Sequence, residues 1–252
     1  MDLGLAGKRA LVTGGTRGIG AAIVELLIDE GGHVATCARN ADEVAVLQEN
    51  ATQNGLNLSA TVCDVSDKTA YEGWLGDSVA ALGGIDIFVA NVSGGAGAGE
   101  EGWQQAFDVD LMATVRGCEA LLASMAHSGG GSMVIISSIA GLEAVGGVGP
   151  YGTIKAGLIA YSSQLAEMAG SHGVRVNTVS PGPIHVDDGF WGNIKNSEPQ
   201  MYDAVCARHP SGRMGTTEEV ANCVAFLASD AASWVTGTNL IVDGGMTKRV
   251  QF

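Results

Sequence analysis

The sequence contains few cysteines, and their spacing indicates neither a metal site nor a disulfide framework. The five cysteines include no C-x-x-C pair and form an odd total, so we predict no metal site. Free thiols are typical of reducing compartments. A run of about 18 apolar residues is also lacking, and Lys8 and Arg9 precede any long apolar stretch that could act as a signal peptide. We therefore expect a cytoplasmic protein with no membrane partner.

Positive charge is scarce as well. Lys and Arg number 13 against 27 Asp and Glu, which gives a formal net charge of −14. An acidic chain repels the phosphates of nucleic acids, so nucleic-acid binding is not expected. A phosphorylated small molecule would have to be held by a few local basic residues and by backbone N–H groups.

Apolar residues are abundant and follow two alternating patterns. They make up 46% of the chain, enough for a large buried core. Short β-branched runs predict strands, and amphipathic stretches between them predict helices. This alternation is typical of an α/β protein, a Rossmann-like doubly wound parallel sheet of about seven strands with helices on both faces. Strands are expected at 10–13, 33–37, 58–63, 85–90, 133–137, 175–179 and 239–242, and helices near 18–30, 41–54, 67–82, 103–126, 150–170 and 217–228.

No linker, repeat or charge block divides the chain, so we predict a single domain, residues 1–252. The alternation breaks at 183–212, which is expected to be an irregular insertion and carries Phe190 and Trp191. Long segments of this kind often close over a ligand. Residues 185–210 are therefore predicted to form a substrate lid.

A glycine-rich turn follows the first predicted strand. Residues 13–20 read Thr-Gly-Gly-Thr-Arg-Gly-Ile-Gly and lead into a helix. Glycines let a ligand approach the backbone closely, and the unpaired N–H groups at a helix start attract phosphate. This glycine turn is predicted to bind a dinucleotide through Gly14, Thr16, Arg17, Gly18, Ile19 and Gly20.

The spacing of the turn differs from the G-x-G-x-x-G fingerprint. It resembles the T-G-x-x-x-G-x-G turn of the short-chain dehydrogenase/reductase family, in particular its single-domain members similar to 3-oxoacyl-carrier-protein reductase. The resemblance extends to Asp243-Gly244-Gly245 near the carboxyl terminus. It implies the same Rossmann-like fold, hydride transfer between a nicotinamide cofactor and an alcohol or carbonyl carbon, and a homotetramer or homodimer packed through the helices near 103–126 and 150–170.

The end of the second predicted strand bears on the choice between NAD and NADP. It reads Thr-Cys-Ala-Arg-Asn over residues 36–40, with no acidic residue before Asp42. An acid in place of Ala38 would bond the ribose hydroxyls and repel a 2′-phosphate, whereas a guanidinium binds phosphate well. Arg39, together with Arg17, therefore favours NADP(H) over NAD(H).

Further cofactor contacts are implied by the resemblance alone. Asp64 and Val65 correspond to the family's contact with the adenine edge, although Asp64 could equally cap the next helix. Asn91 is the one clean match to the family's Asn-Asn-Ala-Gly segment. The turn Pro181-Gly182-Pro183-Ile184 resembles the segment that flanks the nicotinamide, in which the family's usual threonine is replaced by Val186.

Ser138, Tyr151 and Lys155 match the family's Ser–Tyr–Lys arrangement in order and spacing. Tyr151 and Lys155 are four residues apart, which places them on one helix face. A lysine cation at that distance favours the phenolate form of a tyrosine. The match implies that Tyr151 transfers the proton, that Lys155 strengthens it as an acid, and that Ser138 orients the substrate oxygen. Tyr151 and Lys155 would also contact the cofactor.

Asp110 occupies the position at which the family usually has an asparagine that contributes to a water-linked proton relay. An aspartate still accepts hydrogen bonds from water. We therefore count Asp110 among the catalytic residues and expect activity to survive this departure.

Together these residues predict an NADP(H)-dependent oxidoreductase that interconverts a secondary alcohol and a ketone of a small molecule. Two alternatives stay open. One is reduction of a 3-oxoacyl thioester on the same scaffold, although the net charge of −14 does not favour docking of an acidic carrier. The other is a protein that binds or senses the cofactor without turnover, which the intact Ser–Tyr–Lys set argues against.

Overall fold

The computed structural model describes residues 2–248 and 250. The strands are β1 (Arg9–Thr13), β2 (His33–Ala38), β3 (Leu58–Val62), β4 (Ile87–Ala90), β5 (Gly131–Ile136), β6 (Val174–Pro181) and β7 (Asn239–Val242). The α-helices are α1 (Gly18–Asp29), α2 (Ala41–Asn54), α3 (Lys68–Leu82), α4 (Gly99–Ala106), α5 (Ala113–His127), α6 (Pro150–Gly170), α7 (Phe190–Ser197), α8 (Pro199–Cys206) and α9 (Thr217–Ala228).

All strands in this described part pair in parallel, in the order β3-β2-β1-β4-β5-β6-β7. The prediction of a Rossmann-like doubly wound sheet is thereby confirmed. The strand order reverses between β1 and β4, because β2 and β3 lie on one side of β1 and the later strands lie on the other. In such sheets, ligands bind outside the carboxyl ends of the strands at this reversal.

Each face of the sheet is covered by its own apolar core. On one face, Ile23 of α1 and Val224 of α9 belong to the cluster that packs on the sheet. On the other face, Tyr71 of α3, Leu121 of α5 and Leu158 of α6 belong to the second cluster. Strands buried on both faces explain why their sequences are hydrophobic throughout rather than alternating.

The expectation of an irregular insertion at 183–212 is wrong. This segment forms α7 and α8, two helices of eight residues each, and Pro199 occupies the first turn of α8, where it is well tolerated. Eight residues cover only about two turns. An apolar period is hard to recognise over that length.

The single helix predicted near 103–126 is also divided differently. Helix α4 begins earlier, at Gly99, and a π-helical segment, Phe107–Met112, separates it from α5. Such wider turns are rare and occur frequently at functional sites. A π-helical turn contains one residue more than an α-helical turn. The spacing of apolar residues in the sequence does not reveal this extra residue.

Tertiary packing decides the exposure of one histidine and of three tryptophans. His209 is buried, with 4% of its surface exposed. Its Nδ1 lies 3.0 Å from the Val205 carbonyl oxygen, a contact that no sequence pattern indicates. Trp74 is buried, whereas Trp103 and Trp234 are exposed, so these two are not part of the core.

Candidate active site

The glycine turn at 13–20 is held in place by a residue that follows β4. The Asn91 side-chain amide donates hydrogen bonds to the carbonyl oxygens of Thr13 and Gly14, at 3.0 and 3.1 Å. The Asn91 backbone N–H donates to Thr13 Oγ1 at 3.0 Å. Asn91 therefore joins the ends of β1 and β4 where the strand order reverses.

The glycines of the turn have two different surroundings. A Cβ atom at Gly15 would collide with Thr36, and one at Gly20 would collide with the Gly14 carbonyl oxygen. Gly18 has a φ of +56°, and a Cβ there would meet nothing within 4 Å. The turn is thus closely packed toward the protein and open on the side from which a ligand would approach.

Helix α1 begins at this open side without a side-chain cap. Arg17 occupies the N-cap position, and its side chain accepts no hydrogen bond from the helix. The first backbone N–H groups of a helix lack partners inside the helix and carry a partial positive charge. The residues present therefore fit the phosphates of a dinucleotide, since phosphate is the group that a bare helix start attracts.

A cavity of about 460 Å³ extends from the turn along the carboxyl ends of β1, β2 and β4. Ten of the predicted cofactor residues line it: Gly14, Thr16, Arg17, Gly18, Ile19, Gly20, Arg39, Val65, Asn91 and Ile184. We refer to it as the cofactor cavity. Its volume and position are appropriate for a dinucleotide at the reversal of strand order.

The remaining predicted cofactor residues lie outside this lining. The Asp64 carboxylate accepts hydrogen bonds from the backbone and side chain of Ser66. Partial burial opposes the shift, but these bonds and the charge of Arg39 hold the pKa of Asp64 below its usual range. Pro181 ends β6, and the Gly182 N–H donates to Val242. The roles predicted for Tyr151, Lys155, Asp64, Pro181 and Gly182 at the cofactor stay predictions.

Several residues of the cavity wall were not anticipated from the sequence. They include Cys37, Asn40, Glu43, Cys63, Val92 and Val109. The neighbouring Cys63 thiol and burial raise the pKa of Cys37 well above its ordinary value, so Cys37 contributes a neutral thiol to the wall. Strands β2 and β3 are neighbours in the sheet. This brings Cys37 and Cys63 together although they are far apart in the sequence.

Ser138 lies at the carboxyl end of β5 on a short 3₁₀ turn, Ile139–Gly141. Its hydroxyl accepts a hydrogen bond from the Ala140 N–H at 3.1 Å. The turn packs directly on α6, because a Cβ at Gly141 would lie 2.7 Å from the Ala156 nitrogen and one at Gly152 would lie 2.6 Å from the Ala140 carbonyl oxygen. Two glycines thus allow the turn that carries Ser138 to approach the helix that carries Tyr151 and Lys155.

Lys155 is buried and held by three groups. Its Nζ donates to the Ile136 carbonyl oxygen at 3.1 Å and forms an ion pair with Asp110 Oδ1 at 2.9 Å. The Ser137 hydroxyl donates to the Lys155 carbonyl oxygen at 2.8 Å. The Lys155 Nζ atom also lies 5.7 Å from the centre of the Tyr151 ring. The structure therefore brings Asp110, Tyr151 and Lys155 into one cluster.

Asp110 reaches Lys155 from the π-helical segment. Its other carboxylate oxygen accepts a hydrogen bond from the Gly94 N–H at 2.6 Å, and the Thr114 hydroxyl donates to its backbone carbonyl oxygen at 2.7 Å. Asp110 thus connects Lys155 to the loop after β4. The sequence suggested a polar residue here but could not indicate a direct ion pair.

Within the residues that the structure describes, no group of three or more His, Cys, Asp or Glu side chains could hold a metal ion. No helix of the same residues is long and apolar enough to cross a bilayer. A glycine turn at the reversal of strand order in a parallel sheet is the arrangement of dinucleotide-binding α/β proteins.

Comparisons with known proteins identify the family. Residues 14–247 match the family model described as enoyl-(acyl carrier protein) reductase. An isoepoxydon dehydrogenase of Penicillium expansum is 35% identical over 100% of this chain and 99% of its own length. The 3-oxoacyl-[acyl-carrier-protein] reductase of Escherichia coli (strain K12) is 34% identical over 95% of this chain and 97% of its own.

A solved structure agrees with this result. L-sorbose reductase from Gluconobacter frateurii, complexed with NADPH and L-sorbose, has a TM-score of 0.91 at 30% identity, and the match covers 99% of this chain and 100% of that one. The chain belongs to the short-chain dehydrogenase/reductase family and is an NAD(P)-dependent oxidoreductase. Membership in a family of named dehydrogenases and reductases argues against the alternative of a cofactor sensor without turnover.

Proposed function

We propose that the protein is an NADP(H)-dependent oxidoreductase that interconverts a secondary alcohol and a ketone of a small molecule. The observation that carries this proposal is the Asp110–Lys155–Tyr151 cluster, together with a cofactor cavity that Arg17 and Arg39 line. The cluster is suited to proton transfer. The two arginines are suited to bind the phosphates of a dinucleotide.

The preference for NADP(H) is supported by the charges in the cavity wall. Arg17 and Arg39 line the cavity together with Ala38, which leaves the end of β2 without an acid to repel a 2′-phosphate. Guanidinium groups bind phosphate through two parallel hydrogen bonds. The NADPH bound to the sorbose reductase is consistent with this choice.

Each residue of the cluster has a separate proposed role. The bound nicotinamide would supply or accept the hydride. Tyr151 gives a proton to the carbonyl oxygen or takes it from the alcohol, with the Lys155 ammonium group next to its ring. Ser138 donates a hydrogen bond to the same oxygen. Asp110 holds the Lys155 ammonium group at its position.

The segments that follow β4 and β5 favour an uncharged substrate. Glu100 and Glu101 lie in the first turn of α4, Glu143 follows the 3₁₀ turn after β5, and the stretches 91–101 and 138–149 contain no Lys or Arg. Acidic side chains repel anions and slow their arrival. We therefore favour a free ketone or alcohol over an acyl group carried on an acidic protein.

The second candidate is a 3-oxoacyl thioester reductase. It is favoured by the E. coli relative, which carries that activity in its name. The acidic side chains of the segments after β4 and β5 argue against it. A single domain with a lid at 185–210, a homotetramer or homodimer, and a cytoplasmic location also stay predictions.

The first test is a titration of tryptophan fluorescence with NADPH and NADH. We expect the wild type to bind NADPH more tightly, and Arg39→Ala to weaken NADPH binding about tenfold or more while NADH binding changes little. Arg208→Ala is the matched control, since Arg208 is exposed and outside the cavity lining. Equal affinity for both cofactors, unchanged in Arg39→Ala, would refute the NADP(H) assignment.

Turnover is tested in the same preparation with a panel of ketones and NADPH. Tyr151→Phe is expected to lower kcat by about 10²–10⁴-fold with cofactor binding retained. Tyr161→Phe removes a phenol hydroxyl from the same helix outside the cluster and should leave kcat close to wild type. Full activity of Tyr151→Phe would exclude this residue as the proton donor.

A further inference from the structure

Glu43 lies in the wall of the cofactor cavity and connects the two segments that carry the arginines. We propose that Glu43 is a positioning residue for recognition of the cofactor's 2′-phosphate, acting through Arg17 and Arg39. This inference rests on the proposed NADP(H) dependence and adds a determinant of cofactor specificity to it.

Both oxygens of the Glu43 carboxylate are used by neighbours of the arginines. The Thr16 hydroxyl donates to Glu43 Oε2 at 2.6 Å, and the Asn40 side-chain amide donates to Glu43 Oε1 at 3.1 Å. Thr16 directly precedes Arg17, and Asn40 directly follows Arg39. One carboxylate therefore joins the turn after β1 to the turn after β2.

Asn40 is itself fixed from its other side. Its side-chain oxygen accepts hydrogen bonds from the backbone N–H groups of Asp42 and Glu43, at 3.0 and 3.3 Å, and so caps the start of α2. The amide end that faces Glu43 is consequently held in one orientation. The Thr16–Glu43–Asn40 bonds and this cap form one continuous network from the glycine turn to α2.

The network leaves the charges of the arginines available. Within the residues described, neither Arg17 nor Arg39 forms a salt bridge. The charge of Arg39 acts on the nearby Asp64. Because Glu43 receives its hydrogen bonds from uncharged donors, the two guanidinium groups are free to bind an anion in the cavity.

Loss of this network is expected to affect the two cofactors unequally. A guanidinium and a phosphate form two parallel hydrogen bonds only in a restricted geometry. A displaced arginine therefore loses much of its interaction with a 2′-phosphate. NADH lacks that phosphate, so its binding depends far less on where the two arginines lie.

The test measures dissociation constants for NADPH and NADH in the full chain. Glu43→Ala is expected to raise the Kd for NADPH about tenfold and the Kd for NADH less than about threefold. Glu43→Gln keeps one acceptor for Thr16 and should lose less. Asp42→Asn is the matched control, because it removes the same charge from the same first turn of α2 while its exposed side chain holds neither Thr16 nor Asn40.

The possible outcomes separate this inference from the proposed function. A fall in the NADPH preference of Glu43→Ala, partly restored in Glu43→Gln and absent in Asp42→Asn, supports the positioning role. Equal losses for both cofactors would overturn it in favour of a general structural role, and tighter NADPH binding would overturn it in favour of simple charge repulsion.

A wild type that prefers NADPH, with Glu43→Ala unchanged, would overturn this inference alone. A wild type without that preference would overturn the proposed NADP(H) dependence as well. Thermal unfolding of each variant checks that the fold is retained, and Glu43→Gln serves if Glu43→Ala does not fold.

Discussion

Asp110 and Lys155 form an ion pair that is almost completely shielded from water, with side-chain exposures of 1% and 3%. Removing both charges from water is costly, and the pair is stable only because each partner compensates the other. Gly94 donates a hydrogen bond to the other Asp110 oxygen, and Lys155 donates one to the Ile136 carbonyl oxygen. The same carboxylate therefore serves stability and the position of a proposed catalytic lysine.

At this residue scale we predict that Asp110→Ala lowers the free energy of unfolding by about 3–5 kcal/mol, because it leaves the buried Lys155 cation without a counterion. Asp110→Asn should lose less, since its amide oxygen can still accept the Gly94 hydrogen bond. Chemical denaturation provides the measurement.

The matched control is Asp108→Ala, which lies two residues away and loses one exposed hydrogen bond with Gln104. Asp108→Ala should lower the free energy of unfolding by well under ~1 kcal/mol. Equal free energies of unfolding for Asp110→Ala and Asp108→Ala would show that the ion pair does not stabilise the fold. Activity of Asp110→Asn separately reports whether the negative charge is needed for turnover.

At the scale of the elements, a network of polar contacts joins β1 to the turn before β4. Arg9 donates to both Asp86 carboxylate oxygens, from Nε and one terminal nitrogen, each at 2.8 Å. Its other terminal nitrogen donates to the Gly83 carbonyl oxygen at 2.6 Å. These bonds lie at the start of the strands, at the opposite end of the sheet from the cofactor cavity.

The Arg9–Asp86 contact predicts a pH-dependent contribution to stability. Partial burial alone would raise the pKa of Asp86, but the hydrogen bonds from Arg9 hold it below the usual 3.8. A carboxylate with a depressed pKa stabilises the fold above its unfolded-state pKa and loses that contribution as the pH falls through the folded-state value. Asp86→Asn should therefore cost about 1 kcal/mol at neutral pH, a low value because the pair is partly exposed.

The measurement is urea denaturation of wild type and Asp86→Asn across a series of pH values. The difference between them should be constant near neutrality and shrink as the pH falls below 3.8. Asp77→Asn, an exposed acid on α3, supplies the control and should show no such change. A difference that grows on acidification would show that the ionised Asp86 carboxylate does not stabilise the fold.

At the scale of the whole molecule, large apolar side chains are exposed on the helices that were expected to form subunit contacts. Trp103 of α4 is 41% exposed, and Phe107 at the start of the π-helical segment is 44% exposed. They are four residues apart and so share one helix face. Met168 on α6 is 53% exposed. Such groups of apolar side chains often mark an interface between protein chains.

We therefore predict that the wild type is a homo-oligomer and that the double variant Trp103→Glu/Phe107→Glu dissociates it. Light scattering after gel filtration should then give a mass near the 25.6 kDa of one chain. Val46→Glu, at an exposed apolar position on α2, is the control and should leave the mass unchanged. A monomeric wild type would contradict the prediction outright.

Local sequence determined most of the fold and the residue types of the candidate site. The strand and helix periods, the glycine turn and the Tyr151–Lys155 spacing all depend on neighbours within a few residues, which a sequence shows directly. The expectation that Arg39 favours NADP(H) also came from local sequence, because the preceding residue is Ala38 and not an acid. These patterns are local because a strand, a helix or a tight turn is constrained mainly by its own residues.

Only the tertiary structure decided which distant residues meet. The Asp110–Lys155 ion pair joins a π-helical segment to α6, and the Thr16–Glu43 hydrogen bond joins the turn after β1 to α2. The order of strands places Asn91 against the glycine turn. Contacts of this kind depend on sheet topology and helix packing, which bring together side chains from many positions, so no short stretch of sequence can specify them.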